Sequence, residues 1–424
     1  MLRNKKIIGS VLAAAALALM PLVSTRAAIK PSALFSITYN NVAYTSGGSA
    51  SGSGSGNGNS GCGGNTIIGV YGSSALKSYI QQAAKDFCAN TTANPNHYDV
   101  QYASGGDSCP GDLYASQDST DPIVGVSDVF ADSCLADQQP SVDQTTINDA
   151  LLSVNIVDAI ATCPGATEPN GGALHPAGTT PCGAFSTDPA SANAVSCSPA
   201  GLSVQQAQEL YNQQIGNEQQ IGGCNHSATV QNRALGSGTR ITFCFNVYGP
   251  GTDNCNNTGS ANGLAGTTTA EVTDVCGSNP PDGNYAQGYV TRSAIVGDPR
   301  STTSPKTALT GCGVVTVGGY SGYNGTCDPT NPGATGGQPS PVDRVVNCPG
   351  DNDVAAGRYT VWGYEHLVTN VSNNPLAQSF VSFLTTNTNE DNTVTRAQGF
   401  MQQCQMGFRR ADDASPYSVQ TATC

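Results

Sequence analysis

The feature that most constrains this chain is a repeated local order: an apolar stretch of strand length, a few small residues, then a stretch with helical periodicity. Thr66 to Tyr71 reads as a strand, and Ser73 to Cys88 as a helix with Leu76, Ile80, Ala83, Ala84 and Phe87 on one face. Tyr98 to Ala103 reads as a second strand followed by a short helix. Ile123 to Ser127 reads as a third strand, ending at Asp128, and Leu151 to Val157 is a further apolar run. Strands alternating with helices predict a parallel sheet, hence an α/β fold. A second helical pattern follows Leu202, with Val204, Ala207, Leu210, Tyr211 and Ile215 apolar. A short strand at Ala228 to Gln231 leads into Arg233, and a helix is predicted from near Ser237. Strand character returns at Arg358 to Trp362. Pro375, at a permitted first-turn position, opens a helix with Leu376, Phe380, Phe383 and Leu384 inward, and another helix is predicted over Thr393 to Cys404. From Gly249 to Pro349 the chain is rich in Gly, Asn, Thr, Pro and Cys, and pattern alone places no elements there.

At 424 residues the chain exceeds one ordinary domain, which favours two lobes. Its net charge of −13 argues against nucleic-acid partners, which need Lys and Arg for phosphate backbones, and against docking on anionic lipid. An anion bound here must be held by local geometry rather than by the overall field. Arg3, Lys5 and Lys6, the apolar run Ile7 to Val23, and Thr25 and Ala27 spaced as a cleavage site requires, predict a signal peptide over residues 1–27 and a periplasmic or secreted product. The first cysteine, Cys62, is too distant for a lipid anchor, and no later run is long enough to span a bilayer. Residues 28–61 form an N-terminal segment and a Gly/Ser-rich linker (Ser46 to Gly61), so the folded part is expected to begin near Cys62. The 16 cysteines show no C-x-x-C spacing and His97, His175, His226 and His366 do not cluster, so zinc is not indicated. In an exported chain they predict up to eight disulfides. Asp351 and Asp353 lack the glycine spacing of a calcium loop and read as a turn. No metal or cofactor is expected.

Three segments place small residues between a strand and a helix: Gly72-Ser73-Ser74-Ala75, Gly105-Gly106-Asp107-Ser108 and Gly236-Ser237-Gly238-Thr239. A helix N-terminus offers free N–H groups and partial positive charge; glycine permits close approach, and Ser and Thr hydroxyls add donors. Arg233, three residues before the third loop, can give a permanently charged bidentate contact. Asp128 looks misplaced beside an anion unless the anion carries a proton: a carboxylate can accept the O–H that monohydrogen phosphate has and sulfate lacks.

In this order the segments resemble the phosphate-binding components of bacterial phosphate ABC importers. The residues that carry the resemblance are Gly72-Ser73-Ser74, Tyr102-Ala103-Ser104-Gly105-Gly106-Asp107-Ser108, Gly125-Val126-Ser127-Asp128 and Leu202-Ser203 leading to Leu210-Tyr211. The nearest match is Arg233-Ala234-Leu235-Gly236-Ser237-Gly238-Thr239. The resemblance implies a two-lobed periplasmic-binding-protein fold of type II kind, disulfide-rich here, with the ligand in the cleft between lobes. One lobe would comprise residues 62–155 plus 358–424, and the other residues 156–357 with disulfide-rich insertions. It also implies phosphate contacts from Ser74, the Ala75 backbone, Ser108, Asp128, Arg233, Ser237, Gly238 and Thr239, and an ABC permease as a possible partner. A gap-free reading puts Asp107 where the family has serine, while a one-residue shift puts Ser108 there. Leu235 replaces an acidic residue that often holds the arginine, which leaves Arg233 less firmly oriented. Two other readings compete: a secreted structural or adhesive protein that reuses the fold, and a phosphatase-like enzyme. The sequence offers the enzyme no G-x-S-x-G elbow, P-loop or metal cluster.

Overall fold

The computed structural model describes residues 37–39, 42–44, 67–103, 107–117, 119, 121–137, 142–162, 202–221, 227–249, 264–276, 285–296, 312–320, 353–372, 375–386, 400–413 and 418–419. The expected signal peptide, the Ser46 to Gly61 linker, the Gly105-Gly106 pair and the Cys163 to Pro199 stretch lie outside these residues. The chain forms β1 (Ile37–Tyr39), β2 (Val42–Tyr44), β3 (Ile67–Gly72), α1 (Lys77–Ala89), β4 (Asp99–Ala103), α2 (Ser108–Gln117), β5 (Ile123–Ser127) and β6 (Ile147–Thr162). There follow α3 (Val204–Tyr211), β7 (Ala228–Val230), α4 (Gly238–Tyr248), α5 (Thr268–Cys276), β8 (Tyr285–Thr291), α6 (Arg292–Val296) and β9 (Cys312–Val315). Last come β10 (Trp362–Asn370), α7 (Pro375–Thr386), β11 (Phe408–Arg409) and β12 (Ser418–Val419).

The main sheet runs β4-β3-β5-β10-β6-β8-β7, with β9 also paired to β6. β3 pairs in parallel with β4 and β5, as the βα alternation predicts, and β7 pairs in parallel with β8. The 16-residue β6 ties the two halves of this sheet together. Its first part pairs with β10, and its last residues pair with β8 and β9. The result is the mixed α/β architecture expected from the sequence.

Near-continuous burial explains why β3 and β5 read as apolar runs, and all nine residues of β10 are buried although four of them are polar or charged on their side chains (Glu365, His366, Thr369 and Asn370). The α1 face is as predicted, with Leu76, Ile80, Ala83, Ala84 and Phe87 at 0–1% exposure. Phe87 packs edge-on against Phe380 of α7, ring centroids 5.3 Å apart, and lies 5.2 Å from Phe383. Each such buried side chain contributes about 1.5–3 kcal/mol relative to exposure. α3 starts with a reciprocal capping box: Ser203 Oγ accepts from Gln206 N, and Gln206 Oε1 accepts from Ser203 N. At its outer edge Val204 is exposed, although its apolar character suggested an inward position.

Several expectations are corrected. Structure precedes Cys62, because β1 and β2 pair antiparallel with Ile37 opposite Tyr44. The strand expected at Arg358 to Trp362 begins at Trp362; the residues before it form a turn closed by Arg358 N and Tyr359 N donating to Asp353 O, with Gly357 at φ 69°. Asp353 there pairs with Arg358 at 2.7 Å. The helix expected over Thr393 to Cys404 falls outside the described residues up to 399. From Phe400 onward, Met401 makes a β-bridge to Val154 and Gln403–Gln405 form a 3-10 turn. Cys109 is bonded to Cys134, and Cys88 and Cys404 are also in disulfides, but Cys244 is free and buried. With one of 16 cysteines free, 15 remain, so at most seven disulfides form rather than eight.

Candidate functional site

The C-terminal ends of β3 and β5 point to one place, and four helices begin there. Only glycine fits at the end of β3: Gly72 has φ 140°, and a Cβ on it would lie 2.0 Å from Val126 O. This close crossing lets Ser73 N donate to Val126 O and brings the turn before α1 beside the end of β5. Tyr102 of β4 fixes the turn further, its hydroxyl donating to Gly72 O and Ser73 O at 2.9 Å each. Burial pushes the Tyr102 hydroxyl far above its usual range, with Asp128 and nearby acidic groups adding to the effect, so it stays a donor.

Asp128 is 1% exposed. Its Oδ2 accepts from Thr239 Oγ1 at 2.8 Å, its backbone N–H donates to Ser108 Oγ at 3.1 Å, and its carbonyl accepts from Thr242 Oγ1 at 3.3 Å. Oδ1 meets no hydrogen-bond partner among the described residues. Burial raises the Asp128 pKa; hydrogen bonds from Ser73 and Thr239 and the charge of Arg233 oppose that rise.

Ser108 opens α2 and is fully buried. It touches the start of α4 so closely that a Cβ on Gly238 would lie 2.4 Å from Ser108 Oγ and 2.7 Å from Asp128 Cβ. Asp107 takes a different position: its Oδ1 lies 3.7 Å from Arg233 Nη2. Both residues therefore adjoin the site, Ser108 between Asp128 and Gly238, and Asp107 against the arginine. Ser237 is the N-cap of α4 yet makes no side-chain capping bond, and it is 2% exposed. Ser74 lies 3.4 Å from Thr268 by their hydroxyl oxygens. The Ala75 N–H, expected to face a ligand, donates to Ser73 Oγ at 3.1 Å.

Arg233 is 1% exposed and firmly held, contrary to the expectation from Leu235. Nε donates to Ala265 O at 3.2 Å, and Nη1 donates to Thr268 Oγ1 at 2.9 Å. Arg240 Nη1 donates to Arg233 O at 2.9 Å. The support thus comes from the segment entering α5, where pattern alone had placed nothing. Glu271 of α5 is buried beside this cluster and accepts from Tyr289 N at 3.2 Å. Burial pushes its pKa up to about 8 against the pull of Arg233.

Sequence reasoning missed Thr268, Glu271 and Glu365. Gly266-Thr267-Thr268 before Glu271, Val272 and Val275 is a small-residue loop entering a helical pattern, which could have flagged the first two. Nothing in the pattern of β10 marks Glu365. The site therefore assembles the N-termini of α1, α2, α4 and α5, one buried arginine and one buried carboxylate with an open acceptor. Such a set can hold a small oxyanion by N–H and O–H donors while accepting one proton from it. Among the described residues no group of His, Cys, Asp and Glu is arranged to hold a metal ion, and no helix is long and apolar enough to cross a membrane.

No protein-family model matches the chain, and no curated protein matches it. Among solved structures it is similar to a protein assigned as a phosphate ABC transporter substrate-binding protein from Clostridium perfringens, solved with bound phosphate. The two share 14% identity over 80% of this chain and 99% of the other, at a TM-score of 0.49. It is also similar to an ABC-type phosphate transport receptor from Vibrio cholerae, at 13% identity over 79% and 99% of the two chains and a TM-score of 0.44. A phosphate-binding protein from Stenotrophomonas maltophilia is 15% identical over 80% and 90%, also with a TM-score of 0.44.

Proposed function

We propose that this protein is an exported, two-lobed binding protein that holds phosphate, or a tetrahedral oxyanion of the same protonation, between residues 62–155 plus 358–424 and residues 156–357. The observation that carries the reading is Asp128 Oδ1: a buried carboxylate oxygen without a partner, set among helix N-termini and beside Arg233. A buried acceptor with an unused lone pair is costly unless a ligand proton meets it. Monohydrogen phosphate supplies that proton, whereas sulfate would place an oxygen against the carboxylate. In this reading Ser74, Ser108, Ser237, Gly238 and Thr239 line the ligand volume with hydroxyls and backbone N–H groups, while the Ala75 N–H is taken by Ser73 Oγ. Of the five N–H donors of Arg233, Nε and one on Nη1 are engaged by Ala265 and Thr268, which leaves others for the anion. An ABC permease is the natural recipient of such a ligand.

The test is phosphate binding by Arg233→Ala beside the unaltered protein. Losing two charge-assisted bonds of about 1.5 kcal/mol or more each predicts an affinity drop of at least about 100-fold. Unchanged affinity would place the anion elsewhere.

A further inference from the structure

Directly behind Asp128 lies a second buried carboxyl group, Glu365 of β10, fully buried, with neither oxygen meeting a hydrogen-bond donor among the described residues. β10 and β5 pair antiparallel with His366 opposite Ser127 and Leu367 opposite Val126, so the next step of the register sets Glu365 across from Asp128. On its other side the β10–β6 pairing shifts at this residue: Tyr364 faces Val154 but His366 faces Leu151, a bulge that puts Leu152 and Ser153 against Glu365 alone. Bulges of this kind re-aim side chains beside binding sites. The register and the burial of both residues set the two carboxyl groups beside each other. That contact is favourable only when the pair shares a proton.

We propose that Glu365 is a positioning residue for Asp128: a neutral carboxylic acid that donates its O–H to the Asp128 carboxylate, so that Asp128 stays ionised and faces the ligand as a pure acceptor. This rests on the oxyanion reading of the site. Burial and the neighbouring Asp128 both raise the Glu365 pKa, which assigns the shared proton to Glu365. An ionised carboxylate has about four lone-pair positions. Thr239 and Ser73 fill two, Glu365 a third, and the last is left for the protonated oxygen of the anion. The pair carries a single negative charge. The other charged or titratable groups facing it are Arg233, Asp112 and Tyr102. Without the Glu365 proton, desolvation would drive Asp128 itself to take one up, turning an acceptor into a donor that sulfate could meet.

The experiment compares phosphate and sulfate binding by calorimetry for the full chain, Glu365→Gln and Glu365→Leu. Glutamine keeps an N–H donor, so phosphate affinity and sulfate rejection should stay within about threefold. Leucine removes the donor, so the phosphate-to-sulfate preference should fall at least about tenfold. An unchanged preference in Glu365→Leu, or a loss of preference in Glu365→Gln, overturns the proposal. If the unaltered protein binds neither anion, the oxyanion reading fails separately, and the infrared carbonyl band of a protonated carboxylic acid then decides the pair. A component of that band lost in Glu365→Gln supports it, Glu271 and Asp112 supplying the remainder; a band unchanged in Glu365→Gln overturns it. The same spectrum decides the matter if Glu365→Leu fails to fold.

Discussion

Replacing Gly238 with alanine tests how closely the two halves of the site are packed. The new Cβ would stand 2.4 Å from Ser108 Oγ and 2.7 Å from Asp128 Cβ, whereas ordinary contact begins near 3.4 Å, so the nearer atom must yield 3.4 − 2.4 = 1.0 Å. Ser108 cannot swing aside freely, because its Oγ accepts the Asp128 N–H. Nor can α4 back away at no cost, since Ile241 and Phe245 pack on Val129 and the Cys109–Cys134 disulfide. Overpacking costs about 1–3 kcal/mol and the lost hydrogen bond about 1 kcal/mol, while alanine returns up to about 1 kcal/mol of helix propensity. The net loss is therefore about 1–4 kcal/mol. Drawing the α4 N-terminus away from Asp128 should also weaken phosphate binding at least about tenfold, the equivalent of one charge-assisted hydrogen bond. Urea unfolding and calorimetry measure both effects, with Gly216→Ala as control, because a Cβ there meets nothing within 4 Å. The control should change stability by no more than about 0.5 kcal/mol. If Gly238→Ala matched it in stability and in binding, the close approach of Ser108, Asp128 and α4 would be refuted.

Two other perturbations address the arginine's support. Thr268→Val removes the hydroxyl that accepts from Arg233 Nη1, and should lower phosphate affinity about 10-fold to 100-fold in titrations while the fold survives. Glu271, with its pKa raised from 4.5 to about 8, takes up a proton on folding in that window. Its stabilising effect is fully present below the unfolded value and is lost as pH rises through the folded one. Stability should therefore fall by about 1.4 kcal/mol per pH unit between about 4.5 and 8 relative to Glu271→Gln, read from urea midpoints across pH. Parallel pH profiles for the two proteins would show that Glu271 does not titrate in this way.

Much of this was legible because the first half of the sheet is built from local signals. In β3 and β5, short runs of buried Val and Ile end at a small-residue loop and at Asp128 respectively, and α1 shows an unbroken apolar face. The loop from Arg233 to Thr239 was legible for the same reason: its glycines and hydroxyls sit where a helix must start. The length of β6 was hidden because its faces bury different things. Leu152, Val154 and Ile156 enter the hydrophobic core, while Ser153 and Asn155 on the other face are buried as polar groups, so the apolar run seemed to cover only its centre. The α5–β8 region was hidden by Gly, Asn and Thr on either side. Glu365 gave no signal, because only the β10 register and the bulge opposite it set that side chain behind Asp128. The expected strand at Arg358 failed because Gly357 turns the chain before β10 can begin.

The most direct test of the central claim is calorimetry of phosphate and of sulfate on oxidised, phosphate-stripped protein, with Asp128→Asn in parallel. The account predicts micromolar or tighter phosphate binding, about −8 kcal/mol or better, with sulfate rejected by the unaltered protein and admitted by Asp128→Asn. Silence toward both anions, or equal binding of both by the unaltered protein, would contradict it.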